Sequence, residues 1–422
     1  MRLPKLLAAL AVTSVALAAC GGGGGGGQSI KGTIKIGIDL PVTGADASDG
    51  QPAQNGAKLA IKQAGKVCGA ASQKNACFTL TAFPLDDAVN GVHDPAKGAQ
   101  NVAQFVADST VLAMVGPFNS SVARAEIPVG NQVNLAMISP ANTNECLTKH
   151  IPSCKDQSGN DKASLLRPKG GNNYFRVVTT DDIQGPAAAD FAYDKLGKRK
   201  AFVVNDLETF GKGVADNFAK EFKTKGGTVI DNVGNDFKSN KDFKPILTRA
   251  AAGGADVVYW GGVTATGGGI LRLQMKGILD VPLVGPDGIS GDQFTKDADG
   301  NADNSYYTVA AVNAAKVPEA QQFIGDYKKE YSADIGAYSA TSYEAANILI
   351  AAIGRAIDDA GGNAPTRDQV TAQVAKTQNF HGVLGVSSFD PNGDTTNKII
   401  SIYKWHNGQT GSGDFDSQIV AS

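Results

Sequence analysis

The chain has 422 residues, of which 42% are hydrophobic and 19% charged, with a formal net charge of −2 and a pI near 6.1. That balance offers no basic field for nucleic acid. The length exceeds one ordinary hydrophobic core, so two lobes are expected.

Residues 1–19 carry Arg2 and Lys5, then a mostly apolar run from Leu6 to Ala19 that ends in small residues. This is the pattern of a secretory signal peptide. The segment Leu17-Ala18-Ala19-Cys20 resembles the bacterial lipobox, whose cysteine is acylated and becomes the mature N-terminus. The other reading is an ordinary signal beside a chance cysteine. The acylated Cys20 and the glycines Gly21 to Gly27 make residues 20–30 a lipid anchor with a flexible tether. Loss of residues 1–19 leaves 403 residues, and without Arg2 and Lys5 the net charge becomes −4. The expected location is the outer face of the cell membrane or a periplasm-facing position, anchored without spanning. No later segment approaches the roughly 18 apolar residues that a span needs. The remaining cysteines form two sequence-local pairs, and Cys68–Cys77 with Cys146–Cys154 is the expected choice among three connectivities. Zinc is the rival, but neither pair has the short ligand spacing and no histidines cluster nearby.

From Ile34 onward, strand-like runs alternate with helical ones. Strands are expected at 34-IKIGIDL-40, 78-FTLTAFPL-85, 111-VLAMVG-116 and 135-LAMIS-139, with helices at about 51–66, 94–108 and 121–133. A polar insert follows from Asn142 to Asn173. The pattern then restarts, with strands at 200–206, 228–233, 256–261 and 281–285 and helices at about 210–224, 242–252 and 265–276. Near-continuous apolar strands separated by helices imply parallel sheets covered on both faces. Ile38-Asp39 and Asn205-Asp206 each run into a glycine-bearing loop and a helix, a faint sign of a duplicated module. In the tail, helices at about 317–331, 338–359 and 367–376 precede strand-like 381–389 and 398–405. The expected class is α/β: two doubly wound Rossmann-like lobes joined by a multi-crossing hinge, with a ligand cleft between them. The expected division is 31–175 with about 308–378 in one lobe and 176–307 with about 379–422 in the other.

Enzyme signatures are missing from the sequence. It has no G-x-S-x-G, no H-E-x-x-H and no phosphate-binding G-x-x-x-x-G-K-[ST]. His93, His150, His381 and His406 are scattered, which suits surface or structural roles better than a general base. Gly267 to Gly269 do not follow a strand as a dinucleotide loop would, and 297-DADGNADN-304 lacks calcium-loop spacing. The expectation is therefore no catalytic residue, no cofactor and no metal. One junction does stand out. In 116-GPFNSSVARA-125 an apolar strand meets a helix at Asn119-Ser120-Ser121, where N–H groups and hydroxyls favour an anion. One serine suffices as an N-cap, leaving the second unexplained. The strand end 138-ISPANTNE-145 is again rich in hydroxyls and amides, and 284-VGPDGISGD-292 puts Asp287 in the matching loop of the second half. Donors for a carboxylate on one lobe and a carboxylate for an ammonium on the other suit a zwitterion.

The runs 34-IKIGIDLPVTG-44, 113-AMVGPFNSS-121, 137-MISPANT-143, 182-DIQGPAAADF-191, 206-DLETFGKGVA-215, 258-VYWGG-262 and 284-VGPDG-288 follow one another in a familiar order. From about Ile34 to Trp405 the chain resembles the leucine/isoleucine/valine-binding protein family, solute receptors of bacterial ABC importers with the type I periplasmic-binding fold. The resemblance implies that Ser120, beside Asn119, binds a ligand carboxylate and that Thr143 contacts the head group. It also implies that the carbonyl of Ala141 and the carboxylate of Asp287 meet the ammonium. Asp287 is one methylene shorter than the family's glutamate. The side-chain pocket departs from the pattern: Asp49 and Val263 stand where leucine-binding members place aromatics, and Phe210 lacks a phenolic hydroxyl. The family's own disulfide is missing, since its positions fall near Val89 and on Asn119. If Asp49 lines the cleft, an apolar ligand would leave a carboxylate unpaired, which favours a polar or cationic amino acid or a small amide. Alternatively, Asp49 caps a loop.

These observations give an exported, monomeric lipoprotein that binds an amino acid or similar small solute. It closes by a hinge and hands the solute to a permease driven by a cytoplasmic ATPase. The alternative from another class is a ligand-sensing receptor module of the same fold, tuned to an amide or an amino acid.

Overall fold

The computed structural model describes residues 29–69 and 76–421. The signal peptide, Cys20 and the glycine run lie outside the described residues. The first part of the chain contributes β1 (Ser29–Asp39), α1 (Ala47–Ala64), β2 (Lys66–Cys68), β3 (Ala76–Leu85) and a short hairpin of β4 (Ala88–Val89) and β5 (Val92–His93). It continues with α2 (Pro95–Ala107), β6 (Val111–Val115), α3 (Ser120–Asn131), β7 (Ala136–Ser139), α4 (Lys162–Leu165) and β8 (Tyr174–Arg176). The second part runs through α5 (Asp181–Asp190), β9 (Lys200–Asn205), α6 (Thr209–Thr224), β10 (Thr228–Gly234), α7 (Lys244–Ala252), β11 (Val257–Gly261), α8 (Gly268–Met275), β12 (Leu283–Gly285), α9 (Gln293–Asp297) and β13 (Ser305–Val309). The tail adds α10 (Gln321–Tyr331), α11 (Ser339–Asp359), α12 (Arg367–Ala375), β14 (Phe380–Gly382), β15 (Gly385–Ser387), β16 (Ile399–Trp405) and β17 (Asp414–Val420).

Two sheets result, ordered β2-β3-β1-β6-β7-β8 and β10-β9-β11-β12-β13-β16-β17. Their parallel parts, β3-β1-β6-β7-β8 and β10-β9-β11-β12-β13, repeat the same doubly wound order. The faint sequence duplication is thus a duplicated topology. Both faces of each sheet are covered, so the middle strands are apolar throughout: all five residues of β6 and all five of β11 are buried. Gly211 and Gly261 set how closely α6 lies on β11, because a Cβ on Gly211 would come within 2.4 Å of the Gly261 carbonyl.

In the two main sheets four strands escape the apolar-run criterion, as does the small β4–β5 hairpin outside them. β2 and β8 have three residues each, β13 follows an acidic loop, and β17 alternates exposed and half-buried residues at the sheet edge. The strand-like run 381–389 is the β14–β15 hairpin, outside both main sheets, and Glu344 of α11 holds it through Val383 N (2.9 Å) and Ser387 Oγ (2.8 Å). Both expected disulfides, Cys68–Cys77 and Cys146–Cys154, are formed.

The chain passes between the sheets three times. After β8 it moves to α5, after β13 it returns to α10–α12 beside the first sheet, and after β15 it runs into β16. The crossings touch: Thr179 N donates to the Ala310 carbonyl (3.0 Å), and Ser401 Oγ donates to that of Ala311 (2.8 Å). Three adjacent strands of backbone allow bending and resist twisting, as a hinge requires.

Beside this hinge, the buried Arg176 pairs with Asp394 (Nε–Oδ1 2.6 Å) and donates to the carbonyls of Asn142 (3.2 Å) and Asn144 (2.8 Å) and to the Thr148 hydroxyl. The guanidinium therefore fixes the 142–148 loop, which includes Thr143. Asp394→Ala should leave this cation buried and unpaired, costing about 3–5 kcal/mol. Replacing both partners by apolar residues removes the unpaired charge but leaves the Asn142 and Asn144 carbonyls without this donor, so it should also destabilise, though less than the single change. Denaturant unfolding of the single and double variants checks this, and equal losses in the two would refute it.

Candidate functional site

Because the five central strands of each sheet run parallel, the loops at their carboxyl ends gather on one edge, and residues of the two edges line one cavity. The resulting cavity is lined by Asp46, Asp49, Phe118, Asn119, Ser120, Ala141, Thr143, Phe210, Val263, Asp287, Gly288 and Tyr338. All eight cleft residues named from the sequence meet there. The unfilled space between these residues, counting what opens to solvent, is about 420 Å³, and the side chains leave little room for a whole solute. A solute of amino-acid size therefore enters only when the lobes part.

The first lobe supplies the hydroxyls. Asn119 is the residue before α3, with φ −89° and ψ 143°, but no side chain caps this helix. Neither serine, then, is a cap. Ser120 Oγ lies 3.4 Å from Asn144 N in the cavity wall, whereas Ser121 Oγ donates to Glu208 Oε2 (3.0 Å) on the second lobe. Asn119 Oδ1 is buried without a partner among the described residues, and Thr143 Oγ1 has only the buried Asp181 carboxylate beside it. Polar groups lining the cavity beside the start of α3, where backbone N–H groups are also uncapped, suit a polar ligand group.

The second lobe supplies Asp287, in a turn held by Trp405 Nε1 on the Ile289 carbonyl (2.8 Å) and by Thr264 N on that of Gly288 (2.8 Å). Its Oδ1 accepts from Gln184 Nε2 (2.9 Å), and its Oδ2 accepts from the Tyr338 hydroxyl. Burial raises the Asp287 pKa and these two hydrogen bonds lower it, leaving it at about 6. Tyr338 also meets Phe118 edge-on, with centroids 5.4 Å apart. Phe210 stands in the first turn of α6, and Val263 follows β11.

Sequence reasoning missed Asp46, Phe118, Gly288, Tyr338 and the supporting Gln184. Phe118 and Gly288 lie inside the runs 113–121 and 284–288, and Asp46 stands three residues before Asp49. Tyr338 opens a tail helix with no local sign of a cleft.

His93 ties the lobes together. Its Nδ1 contacts Asp46 Oδ2 (2.8 Å) and its Nε2 contacts Glu208 Oε2 (2.8 Å), with only 1% of the side chain exposed. Burial pulls the imidazole pKa down, but the two carboxylates outweigh it and hold it well above the ordinary histidine value. The bridge is therefore charged at neutral pH; it is lost as pH climbs through the raised His93 value, and in acid as Glu208, whose pKa burial raises but His93 lowers overall, becomes protonated. Elsewhere in the first lobe, buried oxygens of Asp39, Asp87 and Glu126 lie within 4.8 Å of one another. Burial pushes Asp39 to about 7 and the other two well above the usual carboxyl range. Protonated carboxyl groups can share hydrogen bonds without any ion.

Glu208→Gln should weaken the lobe-to-lobe bridge by about 1 kcal/mol, since it is partly exposed. The closed-to-open ratio should fall roughly fivefold, and solute affinity by up to that factor. Small-angle scattering should show a larger radius of gyration for the variant; an unchanged radius and affinity would remove His93 from any part in closure.

The periplasmic binding protein family model matches residues 33–410. The Leu/Ile/Val-binding protein homolog 1 of Brucella melitensis biotype 1 is 28% identical over 387 residues, covering 91% of this chain and 94% of its own. The leucine-, isoleucine-, valine-, threonine- and alanine-binding protein of Pseudomonas aeruginosa is 26% identical over 378 residues, covering 90% and 91%. Among solved structures, the leucine-binding protein LivK of Thermotoga maritima superposes with a TM-score of 0.75 at 24% identity, covering 92% of this chain and 99% of its own. A Rhodopseudomonas palustris solute-binding protein in complex with benzoate gives 0.71 at 20% identity, covering 92% and 98%. With a family match over nearly all the described residues and the same two-sheet architecture, the chain belongs to the periplasmic binding protein family.

Proposed function

We propose that this chain is the extracytoplasmic solute receptor of an ABC importer, taking up an α-amino acid or a similar small polar solute. The solute's carboxylate lies against Ser120, Thr143 and the start of α3. Its ammonium lies against Asp287 and the Ala141 carbonyl, and Phe118, Phe210 and Val263 pack on its carbon atoms. Closure about the three crossings removes water and strengthens the charged contacts. Cys20, if acylated, keeps the receptor at the membrane beside its permease. The work is binding, with no bond made or broken.

One observation carries this reading. Unpaired hydroxyl and amide groups on one lobe and a buried carboxylate on the other line a single cleft between matching sheet edges. The amino-acid names of the curated relatives agree with that chemistry, whereas the benzoate complex of a neighbour of the same fold leaves the carboxylate as the shared feature.

Thermal unfolding of the purified protein against the common amino acids tests the proposal. A solute at about a thousand times its dissociation constant should stabilise the fold by roughly 4 kcal/mol. Asp287→Ala, which removes one partner of a buried charge pair, should cost about 2–5 kcal/mol of that binding. If carboxylates without an amine bind equally well, the ammonium contact is wrong.

The pH profile gives an independent check. Asp287 must be ionised to hold an ammonium, so affinity should fall toward tenfold per unit as pH drops below about 6. Titration calorimetry between pH 5 and 8 measures it, and a flat profile counts against Asp287.

A further inference from the structure

The walls of the cleft carry three carboxylates, Asp46, Asp49 and Asp287, and no lysine, arginine or histidine. Two of the three have partners that account for them. Asp46 Oδ2 accepts from His93 N (2.9 Å) and contacts its ring, which neutralises the charge. Asp287 is held by Gln184 and Tyr338 and faces the ammonium in the function proposed above.

Asp49 is different. It stands in the first turn of α1, yet it caps no backbone there. Its Oδ1 accepts from Ser290 Oγ (2.7 Å) across the cleft, and the half-buried carboxylate leaves its Oδ2 facing the cleft side for a ligand or water. The charged and titratable groups around it are Asp46, Asp287, Asp292, Tyr307 and Tyr338, and none is a cation. An apolar side chain closing over this carboxylate would leave a charge in a dry wall with one donor, a costly arrangement. A second N–H donor on the solute would complete it.

We infer that Asp49 selects the solute's side chain, so the cleft takes α-amino acids whose side chains end in an N–H donor, either a cationic group or a carboxamide, in preference to leucine. This rests on the amino-acid reading of the cleft, with Asp287 holding the α-ammonium and Asp49 the distal nitrogen. Burial chiefly raises the Asp49 pKa, to about 7, with Ser290 lowering it and the neighbouring carboxylates raising it further. Affinity for an N–H-ended solute should accordingly keep rising from pH 6 to 8, whereas binding of an apolar amino acid should weaken over the same range.

Calorimetry with near-isosteric pairs, lysine against norleucine and asparagine against leucine, tests the inference, and arginine, ornithine and glutamine separate cationic from carboxamide solutes. The wild type should prefer one N–H-ended class at least tenfold over its apolar counterpart. Asp49→Ala should reduce that preference to within about threefold while leaving leucine binding intact or improved. Ser290→Ala, which breaks the contact between lobes but keeps the carboxylate, should preserve the preference, and Asp49→Asn serves if the alanine variant does not fold. Equal binding within both pairs by the wild type, lysine with norleucine and asparagine with leucine, unchanged in Asp49→Ala, overturns the inference and leaves the amino-acid reading standing. Binding of no α-amino acid at all overturns both, and loss of all binding only in Asp287→Ala leaves Asp49 to be judged by its own ratio.

Discussion

A strand in a parallel sheet can be followed only by a crossover, and the crossover has a fixed hand. Every loop that leaves such a strand at its carboxyl end therefore emerges on the same edge. This chain applies the constraint twice, with one strand order in both sheets, so that two loop-bearing edges confront each other. Residues far apart in sequence, such as Ser120 and Asp287, become neighbours for that reason alone. Nothing in their local sequence would bring them together.

The electrostatics of the cleft follow from the same arrangement. Helix starts and strand ends carry backbone donors, which suit a ligand anion. Three carboxylates, Asp287 on the opposite edge and Asp46 and Asp49 at the start of α1 on the same lobe as the donors, line that cleft and suit a ligand cation. Their number exceeds what one ammonium needs, and the structure meets the excess partly within itself, through His93 on Asp46 and Tyr338 with Gln184 on Asp287.

Much of this was legible in the sequence, for identifiable reasons. The buried middle strands are continuous apolar runs, such as 111-VLAMV-115, and the loops after them hold the cavity-lining Ser120, Ala141, Thr143 and Asp287. Both cysteine pairs were readable because their partners are eight or nine residues apart. What stayed hidden was long-range. Tyr338 reaches Asp287 only because a tail helix returns to the first lobe. The His93–Glu208 contact joins residues 115 positions apart. β17 gave no signal because an edge strand facing solvent alternates polar and half-buried residues. The serine pair had a local signal but an incomplete reading, since its second hydroxyl reaches across to Glu208 on the other lobe.

The bridge from His93 to Glu208 lies outside the set of cavity-lining residues, apart from Asp46 at its base. It forms when the lobes are shut whatever solute is inside, so it acts on how long a solute stays and not on which solute is chosen. Dwell time and discrimination are then written on separate residues. A lineage could slow or hasten release to suit the turnover of its permease by substitutions at the rim, where k_off is set, without retuning recognition in the interior.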